Sequence, residues 1–174
     1  MRSILLFPYV GPVVALAYTW ELLLDPYSGT LNNLLLNFQV IQEPLNLLGQ
    51  KYLTINIFGF DLKLRLALTT VIIFEIWRYF PLAFLFILAR LQAVPKELYE
   101  AAEVDGAGPL QKFINITLPQ ITAVISILFM IRFIWNFNKF EDIFLLTGGA
   151  SGTRTLPINV YEQGFTISDI GMGS

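Results

Sequence analysis

Neither cysteine nor histidine occurs in the 174 residues of this chain. Thiol chemistry, disulfides, imidazole catalysis and the usual zinc sites are thereby excluded, and most enzyme templates go with them. Charge is scarce too: Asp, Glu, Lys and Arg make up 14% of the residues, and the net charge of −2 leaves no cationic surplus for a nucleic-acid backbone. No run of Lys and Arg offers a phosphate-tracking stripe, so nucleic acid is not an expected partner. A glycine loop ending in Lys and Ser or Thr, which would cradle a nucleotide, is missing as well. No catalytic residue, metal site or cofactor is expected.

What fills the chain instead is apolar: 55% of the residues are hydrophobic and mean hydropathy is positive. Such a balance suits lipid better than water. Crossing about 30 Å of hydrocarbon takes roughly 20 apolar residues in a helix, and three runs approach that length. They cover residues 4–24, 66–89 and 119–140. The first contains Pro8, Gly11 and Pro12. The second holds two charges, Glu75 and Arg78, and a proline, Pro81, expected to kink it. The third includes Arg132 and Asn136. Arg2, the apolar run behind it and Ala15-Leu16-Ala17 imitate a secretory signal, but the run continues to Leu24 through two prolines, which argues for a span.

Between the first two runs, Asp25-Pro26-Tyr27-Ser28-Gly29 reads as a turn. A helix is expected next, with Thr30 as N-cap and Leu31, Leu34, Leu35, Phe38 and Ile41 on one stripe. Its other face carries Asn32, Asn33, Gln39 and Gln42, as in a helix lying in the membrane interface or covering a bundle's mouth. Residues 52–64 alternate too loosely to define a strand, and Gly59-Phe60-Asp61 reads as a turn. After the third run, residues 147–152 read as a flexible loop, and the chain ends at residues 171–174 without a further span. Lys and Arg divide evenly between the two sides, so charge alone leaves orientation open.

Residues 90–118 are hydrophilic enough to leave the bilayer. Pro95 suits a first helical turn and Gly106 suits the position just past a last one, which predicts a helix over 95–105. On it, Leu98, Ala101, Ala102 and Asp105 share one side while Glu97, Glu100 and Glu103 line another. Two adjacent alanines make a notch for close approach of another backbone, and carboxylates around it can orient a docking partner. The same spacing is equally that of a solvated acidic turn between two membrane helices.

The longer string distinguishes them. Pro95 through Glu100-Ala101-Ala102 to Asp105-Gly106-Ala107, followed by Phe113 and Ile116-Thr117-Leu118-Pro119, resembles the cytoplasmic loop motif of binding-protein-dependent ABC importer permeases. Gly106 to Gln111, Asn136 to Phe140 and Leu146-Thr147-Gly148-Gly149 are similar to the maltose and glycerol-3-phosphate type sugar permeases within that family. Weaker agreement comes from residues 77–81 and 29–32; Ala150 departs, standing where the family commonly has proline.

The resemblance implies an all-α fold: a polytopic transmembrane helical bundle with a MetI-like permease core, here incomplete, with three spans plus a cytoplasmic coupling helix in one domain over 1–174. It implies a multi-pass protein of the bacterial cytoplasmic (inner) membrane that moves a sugar or related polyol by alternating access. Its partners would be ABC ATPase subunits, a second permease subunit, an extracytoplasmic solute-binding protein, the sugar itself and the lipid bilayer. Leu98, Glu100, Ala101, Ala102, Asp105 and Gly106 would couple the chain to the ATPase. Only some of the family's spans are present, so a truncated, transport-inactive fragment is the alternative, with a membrane-embedded enzyme using Glu75 as a further rival.

Intramembrane charges cost several kcal/mol each, so Glu75, Arg78 and Arg132 should face protein or a wet cavity. By helical spacing Glu75, Arg78 and Tyr79 share one face, and Arg132, Trp135 and Asn136 another. Acceptors, guanidinium donors and aromatic planes together suit a sugar's hydroxyls and apolar ring face. A structural ion pair of Glu75 with Arg78 or Arg132 fits the same residues equally well.

Overall fold

Gly11 and Pro12 divide the first apolar stretch. In the computed structural model, which describes residues 5–57 and 60–167, α1 spans Phe7–Val10 and α2 spans Val13–Leu24. Proline lacks a backbone N–H and drives the residue before it away from helical dihedrals, which accounts for the break where one span over 4–24 was expected. The 12 residues of α2 rise about 18 Å, short of a bilayer's hydrocarbon. Arg2 and Ile4 at the start of that run, and residues 171–174 at the chain's end, lie outside the described residues.

Among the described residues, two helical runs are long and apolar enough to cross a membrane: α4, Leu66–Gln92, and the run Pro109–Phe137. At 27 residues α4 rises about 40 Å, and Pro81 is accommodated inside it. The second run is composite. It begins as α6, Pro109–Lys112, widens into a π-helical turn at Phe113–Thr117, and continues as α7, Leu118–Phe137. Large apolar side chains such as Ile127, Phe129, Phe133 and Ile134 are exposed along α7. A helix apolar all round needs lipid or other helices against it.

The described residues, expected as one domain, group into two compact units. One joins residues 5–9 to Tyr79–Asn136, and the other joins Val10–Arg78 to residues 137–167. In the second unit, α2 packs on α8, Glu141–Thr147, a short helix that begins just past the span expected over 119–140 and that the sequence alone did not predict. Leu16, Ala17, Val71, Phe74, Ile143, Leu146 and Ile158 form its core, with Trp20 and Trp77 packed against it. The rings of Trp20, Phe74 and Trp77 lie 5.3–6.2 Å apart in edge-on and tilted pairs, geometries that aromatic quadrupoles favour.

Three local expectations change in this unit. The helix after the first turn, α3, runs Thr30–Asn37 with Gly29 rather than Thr30 at its N-cap. Its Asn32 is fully buried instead of solvated, donating to the carbonyls of Asp25 and Leu45 and accepting from the Leu45 N–H. A buried amide is tolerated when its polar atoms are paired, and here it fastens α3 to the following loop. Next, β1, Leu53–Ile57, and β2, Phe60–Leu64, pair as antiparallel strands, with Leu53 opposite Leu64 and Thr54 opposite Lys63. Gly59 of the expected turn lies outside the described residues, while Phe60 and Asp61 belong to β2.

Finally, the glycine-rich segment after α8 is fastened rather than loose. Thr147 and Thr153 hydroxyls meet at 2.6 Å, Ser151 Oγ donates to the Gly49 carbonyl at 2.6 Å, and Gly148, Gly149 and Gly152 take the left-handed dihedrals the turn needs. Beyond it, α9, Leu156–Tyr161, leads into a second π-helical turn at Glu162–Thr166.

Candidate functional site

The loop between the two membrane-length helices is built as its sequence predicts. α5 spans Lys96–Val104 with Pro95 at its N-cap and Asp105 at its C-cap. It ends in a Schellman arrangement: Gly106 N–H donates to the Glu103 carbonyl at 3.0 Å, and Ala107 N–H reaches the Ala102 carbonyl at 2.8 Å. Gly106 supplies the left-handed residue at φ 77°, which a side-chain-bearing residue adopts only at a cost.

No residue of α5 is buried. Leu98, Glu100, Ala101, Asp105 and Gly106 are exposed, and Ala102 is half-buried. Val104, which the motif did not single out, is 89% exposed, an apolar side chain presented outward beside the glycine turn. Such a face is physically available to a partner.

Contacts absent from the sequence reading hold the loop to its helices. Tyr99 Oη and Thr117 Oγ1 are 3.0 Å apart, Lys112 Nζ lies 3.0 Å from Glu103, and Arg90 Nε donates to the Gln120 carbonyl at 3.0 Å. A second Arg90 donor, Nη2, meets Gln120 Oε1. Arg90 and Gln120 stand at the two mouths of the loop, 30 positions apart in sequence.

The residues expected along a substrate path fall into two groups, one in each unit. Arg132 lies over the Tyr79 ring, its guanidinium carbon 3.6 Å from the centroid, and Tyr9 meets Tyr79 edge-on at 6.1 Å. That stack is a cation–π contact, and it covers one face of the aromatic plane expected to carry a sugar ring. Trp135 and Asn136, on the same helix as Arg132, are exposed.

Glu75 and Arg78 belong to the other group, and their partners follow the third span. Lys139 Nζ lies 3.1 Å from Glu75 and also contacts Asp142, which in turn pairs with Arg78. Two carboxylates and two cations give the cluster no net formal charge, and all four side chains are largely out of solvent. Removing charges from water is repaid only when they are paired, and this arrangement pairs them. Burial pushes the Asp142 carboxyl up, while hydrogen bonding with Lys139 and the charges of Lys139 and Arg78 outweigh it and hold the group below its usual value.

An apolar cavity of about 370 Å³ lies between α2, α3 and the start of α4, with Trp20, Leu24, Leu34 and Ile73 in its wall. The Thr70 hydroxyl beside it donates to the Leu66 carbonyl. This wall offers few of the polar groups that a sugar's hydroxyls require.

Comparison with known proteins gives the family. The family described as "Binding-protein-dependent transport system inner membrane component" matches residues 2–171. "Inner membrane ABC transporter permease protein YcjO" of Escherichia coli (strain K12) is 36% identical over 170 residues, covering 98% of this chain and 53% of that protein. "Trehalose/maltose transport system permease protein MalF" of Thermococcus litoralis is 34% identical over 175 residues, covering 100% and 54%. "sn-glycerol-3-phosphate transport system permease protein UgpA" of Yersinia pseudotuberculosis is 33% identical over 173 residues, covering 97% and 53%. The chain thus spans about half the length of the curated relatives it matches. Among solved structures, a bacterial ABC transporter involved in the import of the acidic polysaccharide alginate shares the fold, with a TM-score of 0.72 at 21% identity over 99% of this chain and 56% of that one.

Proposed function

Since the chain belongs to the family of binding-protein-dependent transport system inner membrane components, we propose that it serves as a permease subunit of an ATP-driven importer for a sugar or related polyol. The observation that carries this reading is α5: an exposed nine-residue helix, stopped by a left-handed glycine, between two helices of membrane length. A separate ATPase would seat on Leu98, Glu100, Ala101, Ala102, Asp105 and Gly106, and its closure would move the attached helices to alternate access. Relatives named for trehalose/maltose and glycerol-3-phosphate transport support the substrate class. A second permease subunit is part of the same proposal, and support for a solute-binding partner comes from a fold neighbour, a bacterial alginate ABC transporter solved in complex with an alginate pentasaccharide-bound periplasmic protein.

Glu75 and Arg78 are engaged in a neutral cluster, so they support a bundle-fastening role more directly than a substrate contact. Tyr79, Arg132, Trp135 and Asn136 remain the residues through which we propose the solute passes. The half-length match is also consistent with a second reading, a truncated, transport-inactive permease fragment.

Co-expression with an ABC ATPase and a second permease subunit, followed by uptake into proteoliposomes, separates these readings. ATP-dependent sugar uptake is the expected result. Capture of the ATPase without uptake supports the fragment. Absence of capture, or substrate conversion without any ATPase, overturns the permease reading.

A further inference from the structure

The exposed docking helix has little apolar packing to hold its direction, so its polar ties decide how it moves. Of these, the Lys112–Glu103 pair leaves Glu103 77% exposed, and exposed ion pairs contribute little. The Tyr99–Thr117 contact differs: both residues are half-buried, and the 3.0 Å separation is that of a full hydrogen bond.

Thr117 is also placed unusually. Thr19, Thr70, Thr122, Ser126 and Thr147 each donate their hydroxyl to the carbonyl four residues earlier in their own helix. Thr117 closes the π-helical turn, where the Leu118 N–H reaches back five residues to the Phe113 carbonyl, and its hydroxyl meets Tyr99 of another helix instead. Between the two partners the backbone passes through Gly106 at φ 77° and on to Gly108 and Pro109, a bend open enough that a Cβ added at Gly106 would meet nothing within 4 Å. Without a tie across it, a push on α5 would be absorbed in this bend.

We infer that Tyr99 and Thr117 are positioning residues whose hydrogen bond bypasses the glycine bend, so that α5 and α7 move as one body and a displacement of the docking helix reaches the Arg132 end of α7. The inference rests on the reading of α5 as the ATPase docking element. Its mechanical part stands apart from that reading and can be measured without a partner.

Three variants separate the hydroxyl contact from shape: Tyr99→Phe and Thr117→Val remove it, and Thr117→Ser retains it. In the purified wild-type chain in lipid nanodiscs, the amides of residues 96–105 exchange with solvent at a rate set partly by this tie. Exchange should accelerate about three- to tenfold in Tyr99→Phe and Thr117→Val, the equivalent of one hydrogen bond, and stay at the wild-type rate in Thr117→Ser. Equal exchange in all four proteins overturns the tie.

In the assembled importer, ATPase capture should be unchanged in all variants, while uptake per ATP falls at least about fivefold in Tyr99→Phe and Thr117→Val and is kept by Thr117→Ser. Because the chain has no cysteine of its own, Cys introduced at both positions can be bridged selectively by a short bifunctional methanethiosulfonate. Bridging should restore uptake; a bridge that blocks uptake would show that the two residues must part, and would overturn the one-body motion. If the wild type captures no ATPase, the docking reading fails by itself, and the exchange measurement still decides the tie.

Discussion

Asp142 pairs with Arg78 across 64 positions of sequence, joining a seven-residue helix to the middle of a membrane-length one. Its side chain is 1% exposed, so its loss cannot be made good by water. Asp142→Ala takes from Arg78 the buried carboxylate it pairs with and leaves Lys139 to Glu75, and should destabilise the protein by about 3–5 kcal/mol, as removal of one partner from a buried pair does. Replacing the pair with Arg78→Met and Asp142→Leu should recover most of that. Thermal unfolding in detergent compares the three, and a single variant that melts with the wild type would deny the pair its structural role.

Two glycines in left-handed dihedrals invite contrasting alanine substitutions. At Gly106 an added Cβ meets nothing within 4 Å, so Gly106→Ala should cost about 1 kcal/mol from backbone strain alone. Gly149 has the same sign of φ, but its Cβ would stand 2.7 Å from Ile158 Cγ2 in the packed core. Gly149→Ala should therefore lower the melting temperature clearly further. A larger shift for Gly106→Ala would contradict this assignment of strain.

Glu100 is exposed on α5, away from any core. Glu100→Ala should leave stability within about 0.5 kcal/mol of wild type, yet weaken ATPase capture and uncouple hydrolysis from uptake. Wild-type capture and coupling in that variant would remove Glu100 from the docking surface, and lost membrane insertion would mean a structural role.

Asp25 Oδ1 accepts hydrogen bonds from the Ser28 N–H at 2.7 Å, the Ser28 hydroxyl at 2.8 Å and the Tyr27 N–H at 3.0 Å. The Ser28 backbone donor leads in holding this carboxyl below its usual value, followed by the Ser28 hydroxyl and the Tyr27 backbone. A folded value below the unfolded one means the turn's stabilisation is complete above about pH 4 and lost as pH falls through the folded value. Protection of the Ser28 amide should follow that direction, and Asp25→Asn should flatten the profile. A profile that rises on acidification would reverse the sign.

Much of the loop was legible in the sequence because its signals are local. Pro95 and Gly106 mark where α5 can begin and must stop, within one residue of the observed ends. The strand pair was hidden by phase: apolar positions fall at 53, 55 and 57 in one strand and at 60, 62 and 64 in the next, so a single alternation fitted across both fails. Register then pairs those positions with each other. Asn32 looked solvated because spacing shows which face a residue shares, not what covers that face. The partners of Glu75 and Arg78 were missed for the same reason: Lys139 and Asp142 sit three apart, one at the end of the span expected over 119–140 and one past it, and only tertiary folding brings them to α4.

The π-helical turn at Phe113–Thr117 also sets the azimuth of everything beyond it in α7. At 3.6 residues per turn, one residue more or fewer rotates a following helix by about 100°. The widened turn therefore works as a phase offset, aiming Arg132 at Tyr79 from a start fixed by the loop. Deleting Ile114 or Asn115 would remove no residue the motif names and still swing that guanidinium to another side of the helix.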